Sequence, residues 1–215
     1  MGMIEEFERR LDEGQRQVFF RLDSPAAIQD FLNQVPYSTE PANRSPLSVL
    51  RDGVANCFDG ALLAVAALRR LGHPPLIVDL LAEPGADDDH ALAVYRLDGH
   101  WGAIAKSNMT GLRFREPVYR GLRELVMSYF EDYFSVEGEK TLRCYRRPLD
   151  LACLDGTGWM WSEVGVYAII QSLERKRPIP LLTNSMADGL SLVDKLAFQA
   201  GMLGADEAGL FRPKK

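Results

Sequence analysis

The chain has 215 residues, 47% of them hydrophobic and 26% charged, with 18 Gly and 12 Pro. These fractions exclude disordered, collagen-like and low-complexity classes and allow one sizeable buried core. Its net charge of −5 speaks against nucleic acid as a partner. The longest apolar run, Ala61 to Leu68, is far too short to span a bilayer. The N-terminal MGMIEEFERR has no apolar signal region, and Glu6 stands where a myristoylation signal wants Ser or Thr. Three scattered cysteines, Cys57, Cys144 and Cys153, read as reduced thiols of a cytoplasmic protein.

In chain order, residues 3–22 carry apolar positions at helical spacing and predict one surface helix. Ser24-Pro25 caps and opens a second helix running to Gln34, and Pro36 to Pro46 reads as a structured loop. The clearest helix runs from Asn56 to Leu71. Asn56 caps it, Asp59 follows three residues on, Arg69-Arg70 close it, and the all-apolar ALLAVAAL centre predicts burial. The period then changes to that of strands over Pro75–Ala82, His90–Leu97 and Trp101–Lys106. Asp98-Gly99 makes the hairpin turn between the last two. Helical spacing returns over Gly121–Phe134, a further strand is expected at Thr141–Arg146, and two helices near Trp161–Arg175 and Met186–Leu203 finish the chain. The expectation is an α+β fold, a buried helix packed on an antiparallel sheet, with a core over about 24–147 and a helical C-terminal extension over about 148–215.

Cys57 follows the predicted cap. Unpaired N–H groups and the helix dipole at that place favour a thiolate, and the Cys57 N–H itself is placed to hold an oxyanion. His90 opens a strand expected beside this helix, where an imidazole can take the thiol proton. Read singly, Cys57 is also an ordinary core cysteine and His90 an ordinary strand-end polar residue. Their order along the chain is what raises them together. Asp87-Asp88-Asp89 reads as an exposed acidic turn rather than a metal site, though its charge is expected to favour a protonated His90. His73 reads as a helix-exit turn residue and His100 as the fallback base. The segment carrying Arg113, Arg115, Arg120 and Arg123 reads as solvated charge or as arginines paired with the surplus acids. Trp159 and Trp161 read as anchors of the C-terminal helices. No Gly-rich phosphate loop occurs and Cys144 and Cys153 lack zinc-site spacing, so no cofactor and no metal are expected.

The stretches NCFDGALLAVAALRRLG and DDDHALAVYRLDGHWGAIAKSN resemble the transglutaminase-like core of the papain-like cysteine enzymes. In that family a Cys starts a buried helix, a His starts a strand, and a Trp in the next strand precedes a third catalytic residue. The resemblance covers Asn56 to Asn108 and implies Cys57 as nucleophile and His90 as base. It implies a thioester-forming amidase or peptidase acting on a peptide or other amide-containing substrate. The family's Asp, four residues after the Trp, is here Ala105. Ser107, two residues on and on the same strand face, is the candidate orienting group, and Asn108 a further one. The alternative is a catalytically silent member whose cleft binds a peptide or partner.

Overall fold

The computed structural model describes residues 2–212; Met1 and the last three residues of the expected extension lie outside the described residues. The chain starts with α1 (Met3–Arg10) and α2 (Glu13–Arg21), where one helix was expected. The break has a local cause. Asp12 accepts from the Gln15 amide at 2.8 Å while Gln15 returns a bond to the Asp12 amide at 2.9 Å, a capping box that restarts the helix. The restart turns Phe7 and Phe19 onto one another, edge to face at 5.1 Å.

Next come α3 (Pro25–Gln34), capped by Ser24 as the sequence predicts, α4 (Pro46–Asp52) and the central α5 (Cys57–Arg70). From Ala61 to Ala67 every α5 residue is fully buried, so the helix is wrapped by protein on all sides. Then follow β1 (Leu76–Ala82), β2 (His90–Leu97), β3 (His100–Ile104), β4 (Arg115–Tyr119), α6 (Leu122–Met127), β5 (Leu142–Tyr145) and β6 (Leu149–Asp150). The remainder comprises α7 (Glu163–Glu174), β7 (Ile179–Pro180), α8 (Asn184–Asp188) and α9 (Lys195–Gly201).

The strands form one antiparallel sheet in the order β4-β3-β2-β1-β5-β7, with β6 also paired to β1. The hairpin between β2 and β3 uses left-handed Asp98 (φ 49°) and Gly99 (φ 79°), the conformation its Asp-Gly turn predicts. Alternation along β2 divides the core. Ala91, Ala93 and Tyr95 pack with α5, whereas Leu92 and Val94 pack on the other face with Tyr129, Phe130 and Tyr133.

Three expectations are corrected. The Arg113–Arg123 segment contains the unforeseen strand β4, and Arg115 pairs with Asp132 at 3.3 Å, as one of its two expected readings has it. It lies 4.1 Å over the Tyr129 ring and donates to the carbonyls of Gly111, Phe114 and Ser128. The helix expected over Gly121–Phe134 is α6 followed by a separate 3₁₀ turn at Phe130–Asp132. The extension is not purely helical, since β6 and β7 add to the sheet. Its last expected helix is split into α8 and α9, the latter freshly capped by Asp194.

Candidate active site

Cys57 is the first residue of α5, held there by a buried polar knot. Asn56 accepts from the Asp59 amide at 2.9 Å. Asp59, fully buried, accepts from the amides of Asn56 at 3.2 Å and Arg44 at 2.7 Å. The Arg44 guanidinium stands 3.9 Å from the same carboxylate. This knot fixes the loop before the helix and the direction in which the thiol points.

His90 opens β2, paired with Leu80 of β1. By alternation its ring belongs to the sheet face away from α5, and it sits edge-on to Tyr133 at 6.4 Å. Cys57 and His90 meet at the end of the sheet, where both line a cavity of ≈ 60 Å³ with Ser107, Asn108 and Tyr37. They are not hydrogen-bonded to one another in this state. The thiol points at the Asp89 carbonyl, 3.8 Å away, and the Ala91 amide faces the sulfur.

Ring nitrogen Nε2 of His90 lies 2.9 Å from the Leu112 carbonyl. A carbonyl accepts only, so Nε2 carries the proton and the lone pair is on Nδ1. Ser107, the orienting group suggested by the sequence, is placed in the cavity but used elsewhere, its hydroxyl accepting from the Met109 amide at 3.0 Å. Asn108 is bonded to Asp206. The His90 ring is thus held by main chain seven residues beyond Ala105. Ala105 itself is fully buried, its backbone clamped by Gln29.

The loop that presents this carbonyl is pinned on several sides. Arg115 donates to Gly111 at 2.8 Å, Tyr129 to Arg113 at 2.8 Å, and Thr110 to the Ala200 carbonyl at 2.9 Å. A side chain on Gly111 would bring its Cβ to 2.4 Å from the Asp132 Cβ, so this close approach requires glycine.

The electrostatics differ from those expected at a helix start. Burial pushes the Cys57 thiol up to about 11, with Asp88, Asp59 and Asp79 adding to the rise and the Ala91 amide opposing it. Burial pushes His90 down to about 4. Desolvation outweighs the Ala91 amide at the thiol and the Leu112 carbonyl at the imidazole, so the resting pair is neutral thiol and neutral imidazole. The acidic turn is structural as well: Asp87 accepts from Thr141 at 2.7 Å and Asp89 from the Ala82 amide at 2.9 Å. Desolvation raises Asp87 to about 6.

Tyr37 was not singled out by the sequence. Its hydroxyl lies against the thiol and the main-chain amide of Cys57, the same N–H expected to serve an oxyanion. Nothing around Tyr37 in the sequence marks it, because loop and helix start meet only in the folded chain. The fallback base His100 stays in the hairpin, its Nδ1 2.9 Å from the Asp98 carbonyl, and His73 packs on Tyr95. Cys144 also lines the wide outer groove of ≈ 1060 Å³ that leads to Cys57, while Cys153 is exposed. Among the described residues no group of three or more His, Cys, Asp or Glu is placed to hold a metal ion, and no helix is long and apolar enough to cross a membrane.

A family model described as the transglutaminase-like superfamily matches residues 6–104. Among solved structures, Legionella pneumophila LapG is similar at 17% identity and TM-score 0.36, covering 49% of this chain and 73% of that one. Its calcium-bound form matches at 17% identity and TM-score 0.35, covering 50% and 72%. A comparison with curated proteins gave no match. The residues in which the sequence resembles this family, Cys57 at the head of a buried helix and His90 at the head of a strand, lie within residues 6–104, the span that is similar to the transglutaminase-like superfamily.

Proposed function

We propose that the chain is a cysteine-dependent acyl-transfer enzyme acting on amide bonds. The observation that supports this best is the pairing of His90 Nε2 with the Leu112 carbonyl beside the cavity shared with Cys57. It leaves Nδ1 unprotonated and without a hydrogen bond among the described residues, which is the state a general base needs. In this reading Nδ1 takes the thiol proton as the sulfur attacks the substrate carbonyl carbon. The C–N bond then breaks, the amine leaves with the proton from His90, and a thioester remains on Cys57. Water or an amine attacks that thioester to release the acyl group. Because thiol and imidazole are both neutral at rest, proton transfer accompanies attack rather than preceding it.

The second reading, a silent binding module, is favoured by the thiol's bond to the Asp89 carbonyl and its raised pKa. One experiment separates the two. The protein is incubated with p-nitrophenyl acetate and with mixed peptide amides, quenched in acid and digested, and Cys57 is examined by mass spectrometry. The catalytic reading expects an acyl group on Cys57 that is absent in Cys57→Ala and at least 100-fold slower to form in His90→Gln. Acylation no faster than that of the exposed Cys153 sinks it.

A further inference from the structure

The segment from Ala205 to Arg212 lies over the Cys57 cleft, and the cleft holds it as it would hold a peptide. The Asn108 side chain, buried at the cavity wall, grips Asp206 twice. Its Nδ2 donates to the Asp206 carbonyl and its Oδ1 accepts from the Asp206 amide, both at 2.7 Å. A single side-chain amide that reads both main-chain groups of one residue is a peptide-recognition contact, indifferent to the side chain it holds. Three residues on, Gly209 passes so close to Tyr37 that a Cβ would fall 2.7 Å from the Tyr37 Cδ1 and 3.1 Å from the Asn108 Nδ2. The Tyr37 hydroxyl in turn lies against Cys57. Beyond this point Leu210 and Phe211 line the cavity shared by Cys57 and His90, and Arg212 lines the outer groove with Glu40 and the Asp87–Asp89 turn. The two arginines of that groove are already paired, Arg143 with Glu83 and Arg146 with Asp79, and Glu40 is paired with Arg44, so its remaining charge is that of the Asp87–Asp89 turn.

The segment is lightly attached. Its main-chain bonds are local: Ala205 to Met202, Gly209 to Asp206 and Leu210 to Glu207. Among the described residues, the Asn108 pair supplies its hydrogen bonds to the body of the protein. Gly204, at φ 71°, makes the turn that leads into it.

We propose that residues 206–212 are a resident ligand of the cleft, a strap in cis that occupies the path of a substrate peptide and shields Cys57 until it lifts. The ligand class this implies is a peptide with a small residue over Tyr37 and a cationic residue three positions further on, against the acidic mouth. The proposal rests on Cys57 being the working nucleophile.

The test uses the full-length chain. Gly209→Val evicts the strap from its own side and Asn108→Ala from the side of the body. Iodoacetamide labelling of Cys57 is followed by peptide mass spectrometry, with exposed Cys153 as the internal reference, and hydrogen exchange is followed over residues 205–212. The expected result is faster exchange of the strap and at least tenfold faster labelling of Cys57 in both variants, with Cys153 unchanged. A synthetic peptide DEAGLFR, the sequence of residues 206–212, then slows Cys57 labelling in Gly209→Val, and the same peptide ending in Glu does not. Faster strap exchange without faster labelling overturns the proposal, as does exchange that neither variant raises. Faster labelling with no acyl-enzyme from any substrate sinks the catalytic reading and leaves the strap standing. Acyl-enzyme formed at equal rates with and without the strap does the reverse.

Discussion

The Nε2 of His90 and the carbonyl of Leu112 stand 2.9 Å apart, and through that contact a main-chain group fixes the direction of the imidazole. A carbonyl fixes tautomer and ring direction as a carboxylate does, but it brings no negative charge to stabilise an imidazolium. His90 is expected to show the Nε2–H tautomer by nitrogen-15 NMR of the ring and to titrate near pH 4. A ring that titrates near 6.5, or carries its proton on Nδ1, contradicts the arrangement.

The same depression has a consequence for stability. A base whose folded pKa lies below its unfolded value is favoured neutral in the fold. Its contribution is complete above about pH 6.5 and is lost as pH falls toward about 4. The size is on the order of 3 kcal/mol. Asp87, raised to about 6, has the opposite sign, since its contribution fades as pH rises from 3.8 through 6. Urea unfolding at pH 7 and pH 4.5 is expected to show a larger acid loss in the wild type than in His90→Gln. Equal losses count against a neutral buried His90.

Gly111 is where the Leu112 loop meets the rest of the protein most tightly. Gly111→Ala is expected to cost about 1–3 kcal/mol in urea unfolding through overpacking against Asp132. It also moves the Leu112 carbonyl, so the His90 ring resonances shift and acylation of Cys57 slows even where the variant is fully folded. Lost stability with unchanged His90 resonances shows that the loop tolerates the methyl group without moving its carbonyl.

Ser107→Ala separates the orienting group read from sequence from the one found in the fold. Its hydroxyl serves the Met109 amide, so the variant is expected to lose about 1 kcal/mol of stability. Cys57 acylation is expected to stay within threefold of the wild type. A drop of 100-fold returns the orienting role to Ser107.

Asp59→Ala removes the acceptor of two amides at the start of α5, those of Arg44 and Asn56. Two donors lose their partner at a fully buried site, and the expected cost is about 2 kcal/mol or more. Hydrogen exchange over residues 43–60 rises with it, because the knot that fixes the thiol is gone. Asp59→Asn keeps the acceptor oxygen and is expected to recover most of the loss.

Where the signal is local, it was in the sequence. Asn56 and Asp59 cap one another within a single turn, ALLAVAAL is apolar on every face, and Asp98-Gly99 fits one kind of turn. The central helix, the hairpin and the places of Cys57 and His90 followed from these residues. The resemblance also implied an Asp at the place that Ala105 holds. What holds the His90 ring was decided only by tertiary structure. Any residue has a carbonyl, and Leu112 differs from the others only in being held against His90 by Arg115, Tyr129 and α9. Tyr37 and the strap from Asp206 to Arg212 reach Cys57 across long loops, without a motif. The ionisation of the site belongs to the same class. The helix dipole is a property of the sequence near Cys57 and argues for a thiolate. Burial depends on everything folded over the thiol, and here it is the largest cause of the thiol's rise.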